Sequence, residues 1–349
     1  MLSSIDRHAV APVPAGTALL HIGPHKTGTT ALQHACHQAR AELASQGVLY
    51  ASRARHNADA ARFAIGSRPR RGEAVGRELW AHVSAALNDH RFARRIFSSE
   101  SFANADDAGA ARVIADLAPA ERVHVVVSAR PLAHLLPSQY QQFVQRGVTV
   151  QPFGPWVEGV LGRRDDVKTR LFWHRHRLDE QVRRWGDLVG YDNLTVLVVD
   201  GADRRFLPES FERLLGVARG TLADREVRSN RSLTAAEVEL IRQWHVLGAA
   251  AGMPRAERHR MTGPVCDHLK RRDRDPGEPR LTLPAWAVEE ANQRGAAIAS
   301  RIAETGVRVL GDLGALSAVP TPEDGPAPEV AMLDVEVAAQ FALGLTLAR

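Results

Sequence analysis

The sequence predicts an α/β fold with a five-stranded parallel sheet flanked by helices, with helical additions and a C-terminal helix. Short apolar runs alternate along the chain with segments of helical periodicity, which is typical of a parallel sheet covered by helices on both faces. The run Arg122–Ala129 is rich in valine, as expected of a strand that is buried on both sides. With 349 residues, 44% of them hydrophobic, the chain is long enough to bury such a core.

Apolar runs locate the strands, and helical periodicity locates the helices between them. The expected strands are Thr17–Ile22, Gly47–Tyr50, Arg95–Ser99, Arg122–Ala129 and Leu194–Asp200. The expected helices cover residues 29–44, 73–88, 106–117, 137–146, 178–189, 206–215 and 234–247. We expect Pro137 in the first turn of its helix and Ser232 near the cap of the helix that follows it.

The ends of the chain differ from its middle. Residues 1–16 have no periodic pattern and contain two prolines, so we expect a loose, disordered tail. Residues 17–316 are expected to form the main domain, and residues 317–328 a stiff proline-rich linker. Residues 329–349 read as an apolar helix that packs on this domain or on a second subunit, and the second arrangement would make the protein a homo-oligomer.

The composition excludes several classes of protein. The net charge of +5 and pI near 9.7 are mildly basic, but the arginines are scattered and aromatics make up only 5%, which suits a small anionic ligand better than a nucleic acid. Cys36 and Cys266 give neither a disulfide framework nor a metal-binding spacing. No apolar run reaches the ~18 residues of a membrane span, and the N-terminus lacks the apolar stretch of a signal peptide. We therefore expect a soluble, cytoplasmic protein.

A loop rich in glycine and threonine follows the first strand. Its sequence is Gly23-Pro24-His25-Lys26-Thr27-Gly28-Thr29-Thr30. The glycines permit unusual backbone angles and close approach, and the threonine hydroxyls can donate hydrogen bonds. A strand, tight loop and helix in this order turn backbone N–H groups toward one point at a helix N-terminus, which is an anion-binding arrangement.

The lysine in this loop argues against an ordinary turn between a strand and a helix. Only three of the 45 lysine and arginine residues are lysines, at positions 26, 168 and 270. A lysine ammonium is a compact point charge, whereas an arginine guanidinium is a planar fork, so the two are not interchangeable. A chain that otherwise uses arginine has a lysine at the centre of its predicted anion site.

The order of residues in the loop distinguishes it from a Walker A motif. Walker A places its lysine directly after the second glycine, whereas Lys26 precedes Gly28 by two positions. The order Pro-x-Lys-Thr-Gly-Thr-Thr instead resembles the 5′-phosphosulfate loop of sulfotransferases, which use 3′-phosphoadenosine-5′-phosphosulfate (PAPS). Arg130, at the end of the fourth strand, and Ser138, eight residues later, are similar to the pair that holds the 3′-phosphate of PAPS in that family. Shorter matches to bacterial members are Ser98-Ser99-Glu100, Trp185-Gly186, Asn230-Arg231-Ser232-Leu233 and Val309-x-Gly311-Asp312-Leu313.

The resemblance implies a P-loop-type sheet and sulfuryl transfer from PAPS to a hydroxyl or amine of a glycan or small molecule, without a metal. The product would be 3′-phosphoadenosine-5′-phosphate (PAP). The loop would bind the phosphosulfate, and Lys26 would neutralise the leaving oxygen. Arg130 would grip the 3′-phosphate as a fork, and Ser138 would add a hydroxyl near a helix N-terminus. Glu100 is the preferred base for the acceptor proton because its strand should lie beside the first one, and His56 is its competitor.

Several questions stay open at the level of sequence. The late Arg-Lys-Gly loop of animal sulfotransferases is absent, and residues 228–232 or 270–274 are the candidates to replace it. The segment from Ser52 to Glu73, rich in arginine and histidine, is either a solvated surface or a substrate-facing one. Two other functions compete: a P-loop kinase or nucleotidase in which Glu100 holds Mg²⁺, and a non-catalytic nucleotide-binding protein. The displaced Lys26 argues against the first, and the retained Arg130 and Ser138 argue against the second.

Overall fold

The structure is a computed structural model that describes residues 11–52, 58–162, 166–199, 203–223, 231–322 and 334–347. The chain forms two compact units. Unit one consists of Met1–Pro131, Asp166–Glu226 and Gln293–Ala318. Unit two consists of Leu132–Asp165, Val227–Asn292 and Val319–Arg349. Each unit is therefore assembled from three separate stretches of the chain.

Unit one contains the parallel sheet. The strands in chain order are β1 (Thr17–His21), β2 (Val48–Tyr50), β3 (Arg94–Ser98), β4 (Arg122–Ala129), β5 (Leu194–Val198) and β6 (Arg308–Leu310). They form one sheet in the order β2-β3-β1-β4-β5-β6, and every neighbouring pair runs parallel. The predicted parallel α/β fold is confirmed. Its number of strands is corrected, because the described residues form six strands rather than five. The additional strand β6 has only three residues and begins with Arg308, so it lacks a recognisable apolar run.

Helices account for most of the remaining described residues. In chain order they are α1 (Thr29–Gln38), α2 (Arg40–Ser45), α3 (Ala58–Ala64), α4 (Glu73–Leu87), α5 (Asp107–Asp116), α6 (Leu132–Gln145), α7 (Phe153–Leu161), α8 (Val167–His176), α9 (Leu178–Val189), α10 (Phe206–Leu215), α11 (Ala235–Ala250), α12 (Arg255–Arg271), α13 (Ala285–Glu304) and α14 (Val335–Leu347). Short 3-10 helices cover Glu100–Asn104, Tyr191–Asn193 and Leu313–Ser317.

The core of unit one fixes the position of β1. Leu19 of β1 is fully buried in one hydrophobic cluster with Leu32 and Cys36 of α1 and with Phe211 of α10. Neighbouring strands β3 and β4 pair with β1 on its two sides. Because β1 is an interior strand, the loop that follows it lies at the carboxyl edge of the sheet, where open α/β sheets bind ligands.

Three expected helix boundaries are corrected. The helix expected over residues 29–44 is divided into α1 and α2 at Ala39, although no glycine or proline marks the break. Pro137 lies inside α6 rather than in its first turn, because α6 begins directly after Pro131 and buries Leu132 and Leu135 ahead of it. The cap of α11 is Thr234 rather than Ser232: Thr234 and Glu237 form a capping box.

The described residues near each end of the chain pack on one of the two units. Val13, within the expected tail, is buried in unit one, and its N–H donates to the carbonyl of Leu214 at 2.9 Å. Residues 1–10 and residues 323–328 of the expected linker lie outside the described residues. In unit two, α14 packs on α12, with Gly344 so close that a Cβ there would lie 3.2 Å from the Cα of Val265. The expected homo-oligomer stays a prediction.

Two features are absent from the described residues. No helix in this part of the chain is both long and apolar enough to cross a membrane. The same residues contain no group of three or more histidine, cysteine, aspartate or glutamate side chains arranged to hold a metal ion. Mg²⁺ bound with a nucleotide needs only one or two carboxylates in addition to the phosphates, so the second result leaves the kinase hypothesis to experiment.

Candidate functional site

The loop between β1 and α1 has an unusual backbone. Gly23 and Gly28 adopt positive φ values of 81° and 91°. Lys26 has φ 69° and is the only non-glycine residue with a positive φ among the described residues. A left-handed backbone costs a residue with a side chain roughly 1–2 kcal/mol, and such residues cluster at ligand-binding loops. The loop therefore holds its lysine in a conformation that local propensity disfavours.

Hydroxyl groups inside the loop are partly used to hold its shape. The Thr27 hydroxyl donates to the Pro24 carbonyl at 2.7 Å, and the Thr29 hydroxyl approaches the same oxygen at 3.4 Å. Both threonines are buried, whereas Thr30 is exposed. A hydroxyl has one proton to donate, so in this structure Thr27 stabilises the loop. Donation to an anion then falls to Thr30, to a reoriented Thr29 and to the backbone N–H groups.

The N-terminus of α1 is open to an anion. Its N-cap residue is Gly28, which has no side chain to accept from the first-turn N–H groups. A Cβ at this position would lie 2.6 Å from Cδ2 of Leu207, so α10 closes the other side of the loop. An uncapped helix N-terminus with the positive end of its dipole is a favourable place for phosphate or sulfate groups. The structure thus contains the arrangement that the loop sequence predicts.

A buried histidine at the end of β1 connects this strand to its two neighbours next to the loop. His21, the last residue of β1, is fully buried, and its ring bridges the hydroxyls of Ser98 on β3 and Ser128 on β4 at 2.8 and 2.9 Å. Burial lowers the pKa of His21 from 6.5 to about 3, so the ring is neutral at physiological pH. The N–H of Ser128 also donates to the carbonyl of Gly23 at 2.7 Å. The three strand ends are therefore tied together directly under the loop.

Glu100 lies beside the loop, as the sequence predicts. It follows β3, which pairs with β1, and begins the 3-10 helix Glu100–Asn104. A Cβ added to Gly23 would lie 3.0 Å from both Cα and Cβ of Glu100, so the two main chains are nearly in contact. One carboxylate oxygen of Glu100 accepts from the side chain of Gln33 at 3.2 Å. The carboxylate is half-buried.

Arg130 also reaches the loop. It follows β4 directly, and its Nη1 donates to the carbonyl of Lys26 at 3.1 Å. The guanidinium is half-buried, and burial lowers its pKa from the ordinary value. Arginine nevertheless stays charged at neutral pH. The carboxyl ends of three adjacent strands thus bring together the loop, Glu100 and Arg130, which are far apart in the sequence.

The remaining predicted site residues are not joined to this group by the structure. Ser138 lies half-buried on α6 of unit two, and its pairing with Arg130 stays a prediction. His56 and the adjacent arginines lie outside the described residues, as do most of residues 228–232. In the other candidate segment for the nucleotide, Arg272 forms ion pairs with Glu237 and Glu278 at 3.2 and 2.5 Å within unit two.

The segment from Ser52 to Glu73 is partly held by its own contacts. Arg71 pairs with Asp59 at 2.9 Å, and Arg62 donates to the carbonyl of Arg68 at 2.8 Å. These contacts occupy two of the arginines that a substrate-facing surface would use. The described part of the segment therefore fits the interpretation as a solvated surface better than the interpretation as a binding surface.

Sequence reasoning overlooked three residues that organise the site. Gln33, His21 and Ser128 are buried and bond to residues on neighbouring strands or to Glu100. Gln33 lies four residues after Thr29, and this spacing places both on one face of α1. That periodicity was the available signal for Gln33. The partners of His21 depend on strand order, which no local pattern reveals.

Comparison with known proteins gives a structural similarity but no sequence relative. No protein-family model and no protein of curated function matches the chain. Among solved structures, the chain is similar to the crystal structure of a sulfotransferase from Alicyclobacillus acidocaldarius. The TM-score is 0.42 at 16% sequence identity, and the match covers 70% of this chain and 94% of that chain.

Proposed function

We propose that this protein is a sulfotransferase that moves a sulfuryl group from PAPS to a hydroxyl or amine of a glycan or small molecule. The observation that carries the proposal is the contact between Arg130 and the phosphosulfate-type loop: Nη1 of Arg130 lies 3.1 Å from the carbonyl oxygen of Lys26. The two basic residues assigned to the two anionic ends of the donor are therefore neighbours.

The described residues fit a nucleotide with two separate anionic groups. The open N-terminus of α1 and the loop N–H groups suit one phosphate or sulfate group, and the guanidinium of Arg130 suits a second. PAPS, when bound, supplies the activated sulfuryl group. Lys26 provides the compact positive charge that stabilises negative charge on the leaving oxygen. Its left-handed backbone fixes the direction of its Cα–Cβ bond.

Glu100 is the proposed general base. Its carboxylate lies next to the loop, where an acceptor attacking the sulfuryl group in line would present its proton. His56 stays the alternative, and its position lies outside the described residues. Removing the acceptor proton as the new oxygen–sulfur bond forms prevents an unfavourable positive charge on the acceptor.

A kinase-like phosphotransferase is the second candidate, because Glu100 also occupies the place of a carboxylate that could hold Mg²⁺ beside a P-loop. Transfer assays with excess EDTA separate the two. We expect labelled sulfuryl transfer from PAPS to persist in EDTA. Transfer of phosphate from ATP that requires Mg²⁺, with no transfer from PAPS, would support the kinase instead.

The donor assignment is tested by thermal shift with PAP and ADP. PAP at 100 times its dissociation constant should stabilise the protein by about 2.7 kcal/mol. ADP, which lacks the 3′-phosphate, should stabilise it far less. Arg130→Leu should remove most of the difference, while the matched control Arg122→Leu, at the exposed start of the same strand, should retain it. Equal shifts with PAP and ADP in the wild type would contradict the proposal.

A further inference from the structure

The side chain of Gln33 connects the loop helix to Glu100. Gln33 lies on the second turn of α1 and is 4% exposed. Its Nε2 donates to Oε2 of Glu100 at 3.2 Å and to the main-chain carbonyl of Ser98 at 3.0 Å. A carboxamide nitrogen carries two protons, so both have acceptors within the same short stretch of chain after β3.

The main chain of Glu100 is held independently of this contact. The N–H of Ser99 donates to the carbonyl of His21 at 3.0 Å, which extends the pairing of β3 with β1 by one residue. Gly23 then lies against Cα and Cβ of Glu100. These contacts fix where the Glu100 side chain starts, but they leave its outer torsion angles undetermined. Among the described residues, the hydrogen bond from Gln33 is the contact that limits those angles.

We infer that Gln33 is a positioning residue for the proposed sulfuryl transfer: it holds the Glu100 carboxylate at a set distance from the phosphosulfate loop. This inference rests on the proposed function. In the step itself, Glu100 takes the proton of the acceptor hydroxyl while the acceptor oxygen bonds to sulfur. The bond between sulfur and the phosphate oxygen breaks, and its electron pair stays on that oxygen beside Lys26.

The chemistry of the side chain fits this role. An amide donates a hydrogen bond without carrying charge, so it orients the carboxylate without forming an ion pair that would weaken it as a base. The same helix begins at the loop that holds Lys26. Gln33 thus links the base to the helix that follows the lysine loop, and misplacement of a reacting group by about 1 Å can cost on the order of 100-fold in rate.

The test is a double-mutant cycle between Gln33 and Glu100. Gln33→Met keeps the length of the side chain and removes both donors. If Gln33 acts through Glu100, this change should lower kcat by about 10- to 100-fold. The affinity for PAP and the KM for the acceptor should change less than about twofold. In the Glu100→Gln background the same change should lower the residual rate less than about twofold. The matched control Gln38→Met, at the end of the same helix, should leave kcat unchanged.

Two outcomes would overturn the inference. Equal losses in both backgrounds would show that Gln33 acts on the loop or the fold rather than through Glu100. A loss of PAP affinity as large as the loss of kcat would show the same. If the wild type neither binds PAP nor transfers sulfuryl groups, the proposed function is wrong, and a reaction-independent measurement then decides about Gln33.

That measurement is the side-chain order of Glu100 in protein labelled with ¹³C-glutamate, with its signal assigned by its loss in Glu100→Gln. Three-bond couplings should report one dominant side-chain conformer in the wild type and averaged conformers in Gln33→Met. Identical couplings in the two proteins would overturn the positioning role even in an active sulfotransferase. If only the variant shows averaged conformers and the protein does not bind PAP, then Gln33 positions Glu100 although the proposed function is wrong.

Discussion

Three buried histidines make unit one sensitive to acid. His21, His124 and His176 are each at most 2% exposed. Burial lowers the pKa of all three from 6.5 to about 3, with nearby arginines contributing at His124 and His176. Because the unfolded chain binds protons on these rings more readily than the folded chain does, stability is complete above about pH 6.5 and falls as the pH drops toward 3.

The magnitude follows from the size of the shift. At about pH 5, the pH is about 1.5 units below the pKa of each ring in the unfolded state, whereas the ring in the folded state is still neutral. Protonation of the unfolded state therefore lowers the free energy of unfolding by about 2 kcal/mol for each ring. The three together lower the free energy of unfolding by about 6 kcal/mol relative to pH 7.5. Since a folded domain typically has a free energy of unfolding of about 5–15 kcal/mol, this loss is a large share of the total.

Urea unfolding at pH 7.5 and pH 5.0, followed by tryptophan fluorescence, measures this loss. His176 is the most informative position, because neither ring nitrogen has a hydrogen-bond partner among the described residues. His176→Met should reduce the loss between the two pH values by about 2 kcal/mol. The control His174→Met makes the same change on the same helix at a half-buried position. A wild type equally stable at both pH values, or equal effects of the two variants, would refute the reasoning.

The remaining predictions concern the site. Lys26→Met should abolish most turnover while PAP still binds, more weakly, because the loop N–H groups remain; Lys26→Arg should recover only part of the rate. Steady-state rates and PAP affinities measure both, and wild-type turnover in Lys26→Met would make this residue structural only. Glu100→Gln should preserve PAP binding and reduce turnover more than His56→Ala does, and the reverse order would identify His56 as the base. Gly28→Ala should destabilise the protein by at least about 1–2 kcal/mol in thermal unfolding, because of its left-handed backbone and the close approach of Leu207, and an unchanged midpoint would contradict this.

The sequence predicts those parts of the candidate site whose residues lie next to one another in the chain. The loop from Gly23 to Thr30 was recognisable because its glycines, lysine and threonines lie next to one another in the chain. Glu100 could be placed only by assuming the order of the strands, and the pairing of β3 with β1 confirms that assumption. The sequence could not show that the Thr27 hydroxyl donates to the Pro24 carbonyl, because this carbonyl and an external anion are both acceptors within reach of the hydroxyl.

The sequence by itself determined the fold class and the bounds of β4, α9 and α10, and it predicts that the first loop binds an anion. These features depend on periodicity and on residues close together in the chain, so local propensity is sufficient to specify them. Only the tertiary structure decided which distant residues meet. The contact of Arg130 with Lys26 spans 104 positions, and that of Glu100 with Gln33 spans 67. Both depend on β3 and β4 lying on either side of β1. That order is set by long-range packing of the sheet, which the pattern of any single segment does not encode.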